Sequence, residues 1–492
     1  MTKYLYGSGI QGIQDYIFET NKLREICGAS ELVQYICTDG FDEFIGNDTD
    51  KIKKIVTAAG NIRIISDDKD LIQKIVLEWP RQVEEYAPGV SLSQSVVQYD
   101  NALTKEVMDN LEENLKIQRN RILLPADLTP MATVRSRRTG KPAVDWNDEK
   151  GEKNKPRDVS CKSKQKAGSI DAPQRLMEDI LPERVKKMET SKYPFLVEDI
   201  CREDHSDWLA VIHADGNGLG KVIQSFSNKL QSTPEKLESV YRIFSEQLEK
   251  STVESARKAV DLILTATDKD NKFKKYPFRP VVLGGDDLTI IIRADLAINF
   301  AVNFLTFFEE ETKKNFASIA NEYEIDFLKE GLNACAGISF MKQTFPFHYA
   351  FKLAEELCGD AKNGLNRKTG LSFHKIQDTF VDSYEDIVMK ELTPQNDVSY
   401  KNGPYTLKEI HDLIRKVKIV NEKDAPKSGI RKWLNMMHES PNEAELWMDR
   451  VKWIAKNDYI KILGLDQHID RQNKVTHLHD LMSLASIIKG DK

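Results

Sequence analysis

The sequence predicts an α+β protein with two ferredoxin-like palm domains, because the same order of strands and helices occurs twice along the chain. Each half reads as a strand, a glycine-rich turn, helices, a β-hairpin, a helix and a final strand. The two hairpins are centred on residues 58–61 (Ala-Ala-Gly-Asn) and 284–287 (Gly-Gly-Asp-Asp). An internal duplication with one decayed copy is the simplest explanation.

The first half begins with a short strand at residues 3–6, followed by the turn GSGIQG and a long helical pattern. The segment KKIVTAAGNIRIIS carries the first hairpin. A helix over 70–85 then leads to the strand VSLSQSVVQY. Apolar segments separated by turn residues are typical of such a domain.

The second half repeats this order with stronger signals. The strand WLAVIHAD leads into the turn GNGLG, a helix from about 221 and a long helix over about 235–264. The hairpin PVVLGGDDLTIIIR, a helix over 296–323, the strand ACAGISFM and a helix over 346–361 complete the domain.

This order predicts four domains: a first, degenerate palm (1–105), a helical inter-palm domain (106–200), a second palm (201–391) and a C-terminal helical domain (392–492). The inter-palm domain contains a basic stretch from Arg135 to Lys166. A solvated, mobile loop and a phosphate-contacting insertion are both open interpretations of that stretch.

Composition limits the class of protein. The chain has 492 residues, a net charge of −6 and six scattered cysteines. Single cysteines argue against a disulfide framework or a cysteine zinc site, and they suit a reducing cytoplasm. No segment resembles a membrane span or a secretion signal, so we expect a cytoplasmic protein without membrane contact. The lack of a basic excess indicates that other chains hold most of any RNA partner.

The acidic hairpin carries the strongest chemical signal. Gly284 and Gly285 allow a tight turn and a close approach of the backbone to a phosphate. The adjacent carboxylates of Asp286 and Asp287 repel each other unless a cation compensates, and Mg²⁺ binds such oxygens together with phosphates and waters. A plain turn that uses Asp for its local hydrogen bonds is the alternative.

A third carboxylate strengthens the metal interpretation. Asp215 ends an apolar strand that lies beside the hairpin in a palm sheet, so Asp215 and Asp286 are expected to converge. Carboxylates around two metals are what in-line attack of a hydroxyl on an α-phosphate requires. A helix cap is the alternative for Asp215. His213 is expected on the opposite face of the strand from Asp215.

Two lysines are candidates for contact with a triphosphate. Lys362 follows the last palm helix pattern, and Lys221 lies near the start of the helix after Asp215, with weaker support. An exposed lysine that is favoured at a helix end by the helix dipole is the alternative for Lys362.

Six features, in this order, resemble the large palm-domain subunit of type III CRISPR effector complexes. They are YGSGIQGIQDYIFETNKLREICGASELV, the AAGN hairpin, RTGKPAV, HADGNGLGK, GGDD and the stretch from AGISF to FPFHYAFKLAEELCGDAKN. The resemblance covers the chain from residue 3 to about 375, and the helical tail more loosely. That family is similar to GGDEF cyclases and makes cyclic oligoadenylates when its complex binds foreign RNA.

The resemblance implies that ATP binds between the palms and that Mg²⁺ or Mn²⁺ occupies a two-metal site. Asp215 and Asp286 would be metal ligands, Ala214 would add a backbone carbonyl and Asp287 would assist. The first hairpin lacks carboxylates, so the first palm should be catalytically silent. The residues that would contact nucleotide are Gly284, Gly285, Gly216, Asn217, Gly218, Gly7, Ser8, Gly9, Gln11, Gln14 and Ser30.

We therefore expect a nucleotidyltransferase that polymerises ATP into a cyclic oligoadenylate, with other effector subunits, guide RNA and target RNA as partners. Two alternatives remain open. Some family members join AMP to another acceptor, such as S-adenosylmethionine, and a scaffold subunit could bind nucleotide without catalysis.

Two departures from the family affect these expectations. Many members begin with an HD nuclease domain, whereas this sequence starts at the first palm, so DNA cleavage by that route is not expected. The cysteine zinc site between the palms of many relatives is also missing, since Cys161 is the only cysteine there. In the tail, His468, His477 and Asp480 could be imagined as a metal cluster, but an ordinary surface or capping role is expected.

Overall fold

A computed structural model describes residues 2–121, 132–147, 153–185, 190–201, 207–230, 236–267, 274–378, 383–394 and 398–488. Lys150 of the predicted basic loop lies outside these ranges. The chain divides into two compact units, Met1–Ile200 with Gly218–Ile290 and Thr306–Leu332, and Cys201–Asn217 with Ile291–Leu305 and Asn333–Lys492. The division into four domains stays a prediction.

The first palm contains one four-stranded antiparallel sheet. Its strands are β1 (Thr2–Gln11), β2 (Ile52–Ala58), β3 (Asn61–Ser66) and β4 (Ser91–Asp100). Its helices are α1 (Ile13–Ile17), α2 (Leu23–Cys37), α3 (Asp39–Ile45) and α4 (Lys69–Tyr86), with a 3₁₀ turn at Gly46–Lys51. The strand order β2-β3-β1-β4 is the predicted ferredoxin-like order, which is confirmed.

The turn predicted directly after residue 6 is wrong in its position. Gly7, Ser8 and Gly9 are strand residues that pair with both β3 and β4. The chain turns at Gly12, which has a φ of 57° and lies directly before α1. A Cβ on Gly7 would come within 2.8 Å of the Leu111 side chain. The glycine therefore provides room for packing against the sheet rather than a turn.

The inter-palm region is held close to the first palm by two glycines. It comprises α5 (Lys105–Arg119), β5 (Asp145–Asn147), β6 (Lys155–Arg157), α6 (Val159–Ala167) and α7 (Arg175–Ile180), with 3₁₀ turns at Thr190–Lys192 and Val197–Asp199. A Cβ on Gly28 would lie 1.8 Å from the Lys164 carbonyl oxygen, and one on Gly168 would lie 2.0 Å from that of Arg24. Only glycine permits this contact between α2 and α6.

The second palm has the predicted elements and two additional strands. Its first elements are β7 (Trp208–Gly216), α8 (Leu219–Lys229), α9 (Leu237–Thr267), β8 (Phe278–Gly284), β9 (Asp287–Arg293) and α10 (Ala294–Glu322). They are followed by α11 (Asp326–Lys329), β10 (Ala334–Lys342), α12 (Phe347–Gly364), β11 (Gly370–Lys375), α13 (Tyr384–Lys390) and β12 (Tyr405–Thr406). The sheet order is β12-β11-β10-β7-β9-β8, in which β11 and β12 extend the predicted sheet.

The C-terminal region is helical, as predicted from its apolar spacing. It contains α14 (Leu407–Val420), α15 (Lys427–Glu439), α16 (Pro441–Ile454), α17 (Asn457–Leu463) and α18 (Leu478–Ile487), with a 3₁₀ turn at Leu465–Gln467. Thr406 and Glu409 form a capping box that starts α14. Trp433 is completely buried, and the Tyr400 hydroxyl donates to the Leu434 carbonyl at 3.0 Å.

The tail histidines have structural partners. His468 contacts the Leu465 carbonyl oxygen at 3.1 Å and the Glu445 carboxylate at 3.1 Å. His477 contacts the Leu463 carbonyl oxygen at 2.8 Å. Among the described residues of the tail, these side chains form no metal-ligand group.

Candidate functional site

The acidic hairpin joins β8 to β9, with Gly285 and Asp286 in the turn. Gly285 has a φ of 59°, which glycine adopts without strain. Its carbonyl oxygen accepts a hydrogen bond from the Thr252 hydroxyl of α9 at 2.6 Å. The predicted hairpin is therefore confirmed, and α9 holds its tip in place.

The acidic hairpin lies against the hairpin of the first palm. A Cβ on Gly284 would lie 3.7 Å from the Ala59 side chain, so both turns approach with little side-chain bulk between them. A cavity of about 720 Å³ opens beside them and is lined by residues of both hairpins. This volume is within the range of small-molecule sites. Tyr241, Phe244 and Leu248 of α9 form an apolar wall.

Arg63 is a site residue that the sequence analysis missed. It lines the cavity, is buried, and pairs with Glu112 at 2.9 Å. Its guanidinium also donates to the Ser8 carbonyl at 2.7 Å. A single arginine inside the apolar strand NIRIIS is the signal that could have identified it, because arginine is seldom buried without a partner.

Asp215 lies near the end of β7, opposite Cys335 of β10. The Asp215 carboxylate forms an ion pair with Lys362 of α12, and the Lys362 ammonium also donates to the Gly216 carbonyl at 3.2 Å. Lys362 thus supplies a positive charge at the carboxylate where the sequence predicts a metal.

The prediction that His213 faces away from Asp215 is wrong. Side chains two residues apart on a strand point to the same face, and the ligand atoms of His213 and Asp215 lie within 4.8 Å of each other. Burial lowers the pKa of His213 to about 4, although Asp215 opposes this shift. The imidazole is therefore neutral near pH 7, the form that binds metals.

The turn after Asp215 is anchored by Asn217. The Asn217 amide nitrogen donates to the Asn333 carbonyl at 2.7 Å, and its side-chain nitrogen donates to the Arg367 carbonyl at 3.1 Å. The side-chain oxygen is buried without a hydrogen-bond partner among the described residues. Gly218 has a φ of 81° and precedes α8, in which Lys221 is exposed.

The predicted nucleotide contacts in the first palm have structural partners. The Gln11 side chain donates to the Ser93 hydroxyl, and Gln14 is half-buried in α1. Ser30 is buried in α2 and donates to the Val281 carbonyl of β8. The contact of these residues with nucleotide stays a prediction, as does the metal-ligating carbonyl of Ala214, which is buried in β7.

Ion pairs connect the basic stretch to the first palm. Glu19 pairs with Lys141 at 2.7 Å and with Lys164 at 2.7 Å. Lys164 is completely buried and also donates to the Tyr16 carbonyl at 2.6 Å. Burial lowers the pKa of Lys164, while Glu19 opposes that shift. Lys141 and Lys164 of the basic stretch are therefore held in ion pairs with Glu19.

A second ion pair, between Arg138 and Glu25, lies in the same region. Arg138 donates to the Glu25 carboxylate, which also accepts from the Gln165 amide at 2.7 Å. Next to it, the Thr139 hydroxyl donates to Asp158 at 2.8 Å. The two charged groups of the RTGKP segment, Arg138 and Lys141, are thus held by the carboxylates of Glu25 and Glu19.

Comparison with protein families gives one match. The model described as Cas10/Cmr2, second palm domain, matches residues 208–370, which include β7, the acidic hairpin and α12. The resemblance that the sequence suggested is confirmed for this palm. No curated protein matches the chain.

Comparison with solved structures extends the similarity to nearly the whole chain. A Csm1–Csm4 cassette in complex with pppApApA matches with a TM-score of 0.56 at 13% identity, covering 99% of this chain and 69% of that chain. The cassette with cA4 matches with a TM-score of 0.54 at 13% identity, with coverage of 99% and 69%. The cassette with one ATP matches with a TM-score of 0.55 at 12% identity, again with coverage of 99% and 69%. At this identity the similarity establishes the fold.

None of the described helices combines enough length with enough apolar character to cross a bilayer.

Proposed function

We propose that this chain is a metal-dependent nucleotidyltransferase that joins ATP molecules into an oligoadenylate, and that the finished product is cyclic. The observation that carries the proposal is the acidic hairpin, whose glycines and carboxylates line a nucleotide-sized cavity. The similar cassettes are described in complex with pppApApA, cA4 and ATP, which supports adenine nucleotides as the substrate class.

The donor set fits a divalent cation. Asp215, Asp286 and Asp287 offer carboxylate oxygens, and the ligand atoms of His213 and Asp215 lie within 4.8 Å of each other. Oxygen donors with one imidazole suit Mg²⁺ or Mn²⁺. When bound, two such ions would polarise the α-phosphate and activate the attacking hydroxyl.

The residues of the chain position the two nucleotides for one displacement. The 3′-oxygen of one nucleotide forms a bond to the α-phosphorus of the other, the bond from that phosphorus to the bridging oxygen breaks, and pyrophosphate leaves. The hydroxyl proton passes to water. Gly284 and Gly285 admit the triphosphate close to the backbone. The second nucleotide contacts the first palm, where Asn61 lacks the charge needed to hold a metal.

Lys362 exchanges one negative partner for another during binding. Its ammonium pairs with Asp215, so a metal ion held by Asp215 would compete with Lys362 for that carboxylate. Lys362 would then be available to pair with the triphosphate, the contact predicted for it from the sequence. The exchange keeps the site near charge balance at each step.

We infer that the chain works with other effector subunits and with guide and target RNA in the cytoplasm. The similar solved structures are cassettes of Csm1 with Csm4, which supports a partner subunit. A net charge of −6 fits an RNA that is held mainly by other chains. Target RNA would switch the site on through the assembled complex.

The test is product formation from ATP by the chain, alone and in its target-bound complex, with Mg²⁺ or Mn²⁺ and mass spectrometry of the products. Asp286→Asn should reduce oligoadenylate formation at least a thousandfold, because the site loses one of its few metal-ligating charges. Asp466→Asn, in an exposed turn far along the chain, is the matched control and should leave the rate unchanged.

Two outcomes would overturn the proposal. Absence of any product from ATP in the target-bound complex would leave a nucleotide-binding scaffold. A product that contains AMP joined to an added acceptor such as S-adenosylmethionine, with no oligoadenylate, would assign the other transfer reaction.

A further inference from the structure

A second cavity, of about 390 Å³, lies between the end of β11 and helices α15 and α18. The proposed nucleotidyl transfer does not use it. Basic side chains dominate its polar lining, which includes Lys375, Arg431, His438, His479, Ser486 and one acid, Glu391.

Lys375 is one of the two cations that line this cavity. It is half-buried, its ammonium donates to the Ser486 hydroxyl at 2.6 Å, and it lies 4.5 Å from the centre of the Trp208 ring. Burial lowers the pKa of Lys375, and the positive charges of Arg431 and Lys342 lower it further. These contacts provide no carboxylate for the ammonium.

Arg431 lines the same cavity and is exposed. No carboxylate pairs with it in the described part of the chain. Its charge also lowers the pKa of Lys427, after the effect of burial, so it acts on both neighbouring lysines as an uncompensated cation. Two cations held near each other without a counter-ion are unfavourable, and an anion would relieve their repulsion.

The acidic groups nearby are engaged elsewhere. Glu391 faces His374 at 3.7 Å, and His479 faces Asp480 at 3.3 Å. Asp480 also accepts a hydrogen bond from the Tyr405 hydroxyl at 2.6 Å. Two cations, Lys375 and Arg431, and one carboxylate, Glu391, therefore line the cavity, which leaves one positive charge in excess.

The aromatic floor of the cavity is rigid. The Tyr400 and His479 rings stack at 5.2 Å with an interplanar angle of 18°, and His438 meets Tyr400 edge-on at 5.2 Å. A hydrogen bond from the Tyr400 hydroxyl to the Leu434 carbonyl at 3.0 Å fixes this ring. The Tyr400 and His479 rings are therefore held in place before a ligand arrives, which reduces the cost of binding.

We propose that this cavity binds a phosphate group through Lys375 and Arg431, with His438 as a further donor. Guanidinium and ammonium groups are the usual partners of phosphate oxygens in proteins. The volume accommodates a pyrophosphate or the phosphate end of a mononucleotide. These two sources share one chemistry, and the probes below distinguish them.

The test is isothermal titration calorimetry of the full chain with inorganic pyrophosphate and, separately, with AMP, in the presence of EDTA. The chelator prevents metal-assisted binding at the acidic hairpin. Arg431→Gln should weaken binding of the preferred probe about tenfold, and Lys375→Gln should weaken it at least as much, because each removes a charged hydrogen bond. Stronger binding of pyrophosphate than of AMP would identify a free anion, and the reverse a nucleotide.

Lys432→Gln is the matched control. Lys432 is the exposed neighbour of Arg431, lies 3.8 Å from the centre of the Trp447 ring and does not line the cavity. Its substitution should change binding less than twofold. Asp286→Asn should also leave this binding unchanged, which separates the cavity from the nucleotidyl transfer site.

Failure of the wild-type chain to bind either probe, or equal binding by wild type and Arg431→Gln, would overturn the proposal. Arg431 is exposed, so its variant is expected to fold.

Discussion

The two palms share a fold and differ in the use of their charged residues. In the first hairpin, Ala59 and Gly60 turn the chain with φ values of 49° and 78°, and the Asn61 amide donates to the Ala59 carbonyl at 3.0 Å. In the second hairpin, Asp286 and Asp287 occupy the tip, and the turn is held from α9 instead. The first tip satisfies its own polar groups, whereas the second presents carboxylates beside a cavity.

Charges elsewhere in the palms follow the same division. Glu19, Glu25 and Arg63 of the first palm pair with neighbouring side chains and stabilise its contacts with the inter-palm helices and with α5. In the second palm, Asp215 and Lys362 pair at the end of β7, where a ligand can compete for both. A duplicated fold can therefore keep its sheet while only a few residues decide whether it performs chemistry.

The largest effect is expected from breaking the structural charges of the first palm. Lys164→Met should destabilise the chain by about 3 kcal/mol, because it breaks a buried ion pair and leaves Glu19 with one cation. The measurement is the urea midpoint at neutral pH. Lys166→Met, an exposed lysine on the same helix, is the control and should have little effect. Equal midpoints for the two variants would show that Lys164 is not structural.

Acidification provides a second readout of that pair. Burial alone would raise the pKa of Glu19, but Lys164 and Lys141 lower it below the ordinary value of 4.5. The folded state therefore binds the proton more weakly than the unfolded state, so this stabilisation is present above about pH 4.5 and is lost as the pH falls through the lowered folded pKa. As the pH falls through this range, the free energy of unfolding of Lys164→Met should decrease less than that of the wild type.

An intermediate effect is expected at the ion pair of the second palm. Lys362→Met frees Asp215 from its competing cation and removes a triphosphate contact. The concentration of Mg²⁺ or Mn²⁺ that gives half-maximal activity should therefore fall, while the KM for ATP should rise about tenfold. Steady-state kinetics at varied metal and ATP concentrations separate these changes. Lys368→Met, an exposed neighbour, is the control, and an unchanged metal requirement in Lys362→Met would contradict the exchange.

The smallest effect is expected from adding charge to the silent hairpin. Asn61→Asp supplies one carboxylate, but β1 ends in Gln11 and offers no acid to complete a metal site. Oligoadenylate formation should change less than threefold, as measured by mass spectrometry of the products. Oligoadenylate formation by the double variant Asn61→Asp with Asp286→Asn would show that the first palm needs only this one carboxylate for catalysis.

The sequence was sufficient for features that depend on local pattern. Alternating apolar residues predicted the strands and the hairpin tips, and the repeated order predicted the two palms, because strand and helix periods are properties of a short segment. The position of the first turn was wrong, since Gly7 and Gly9 look like turn residues but serve packing. His213 was assigned to the wrong face, although alternation along the strand already places it with Asp215.

Only the tertiary structure decided the partners of charged residues that lie far apart in the chain. The pairing of Lys362 with Asp215, the burial of Lys164 against Glu19 and the capture of the Ser30 hydroxyl by β8 join segments separated by more than a hundred residues. A basic stretch has the same composition whether it is solvated, binds phosphate or pairs with buried acids. Which of these occurs depends on the groups that folding brings beside it, and those groups are not encoded in the stretch itself.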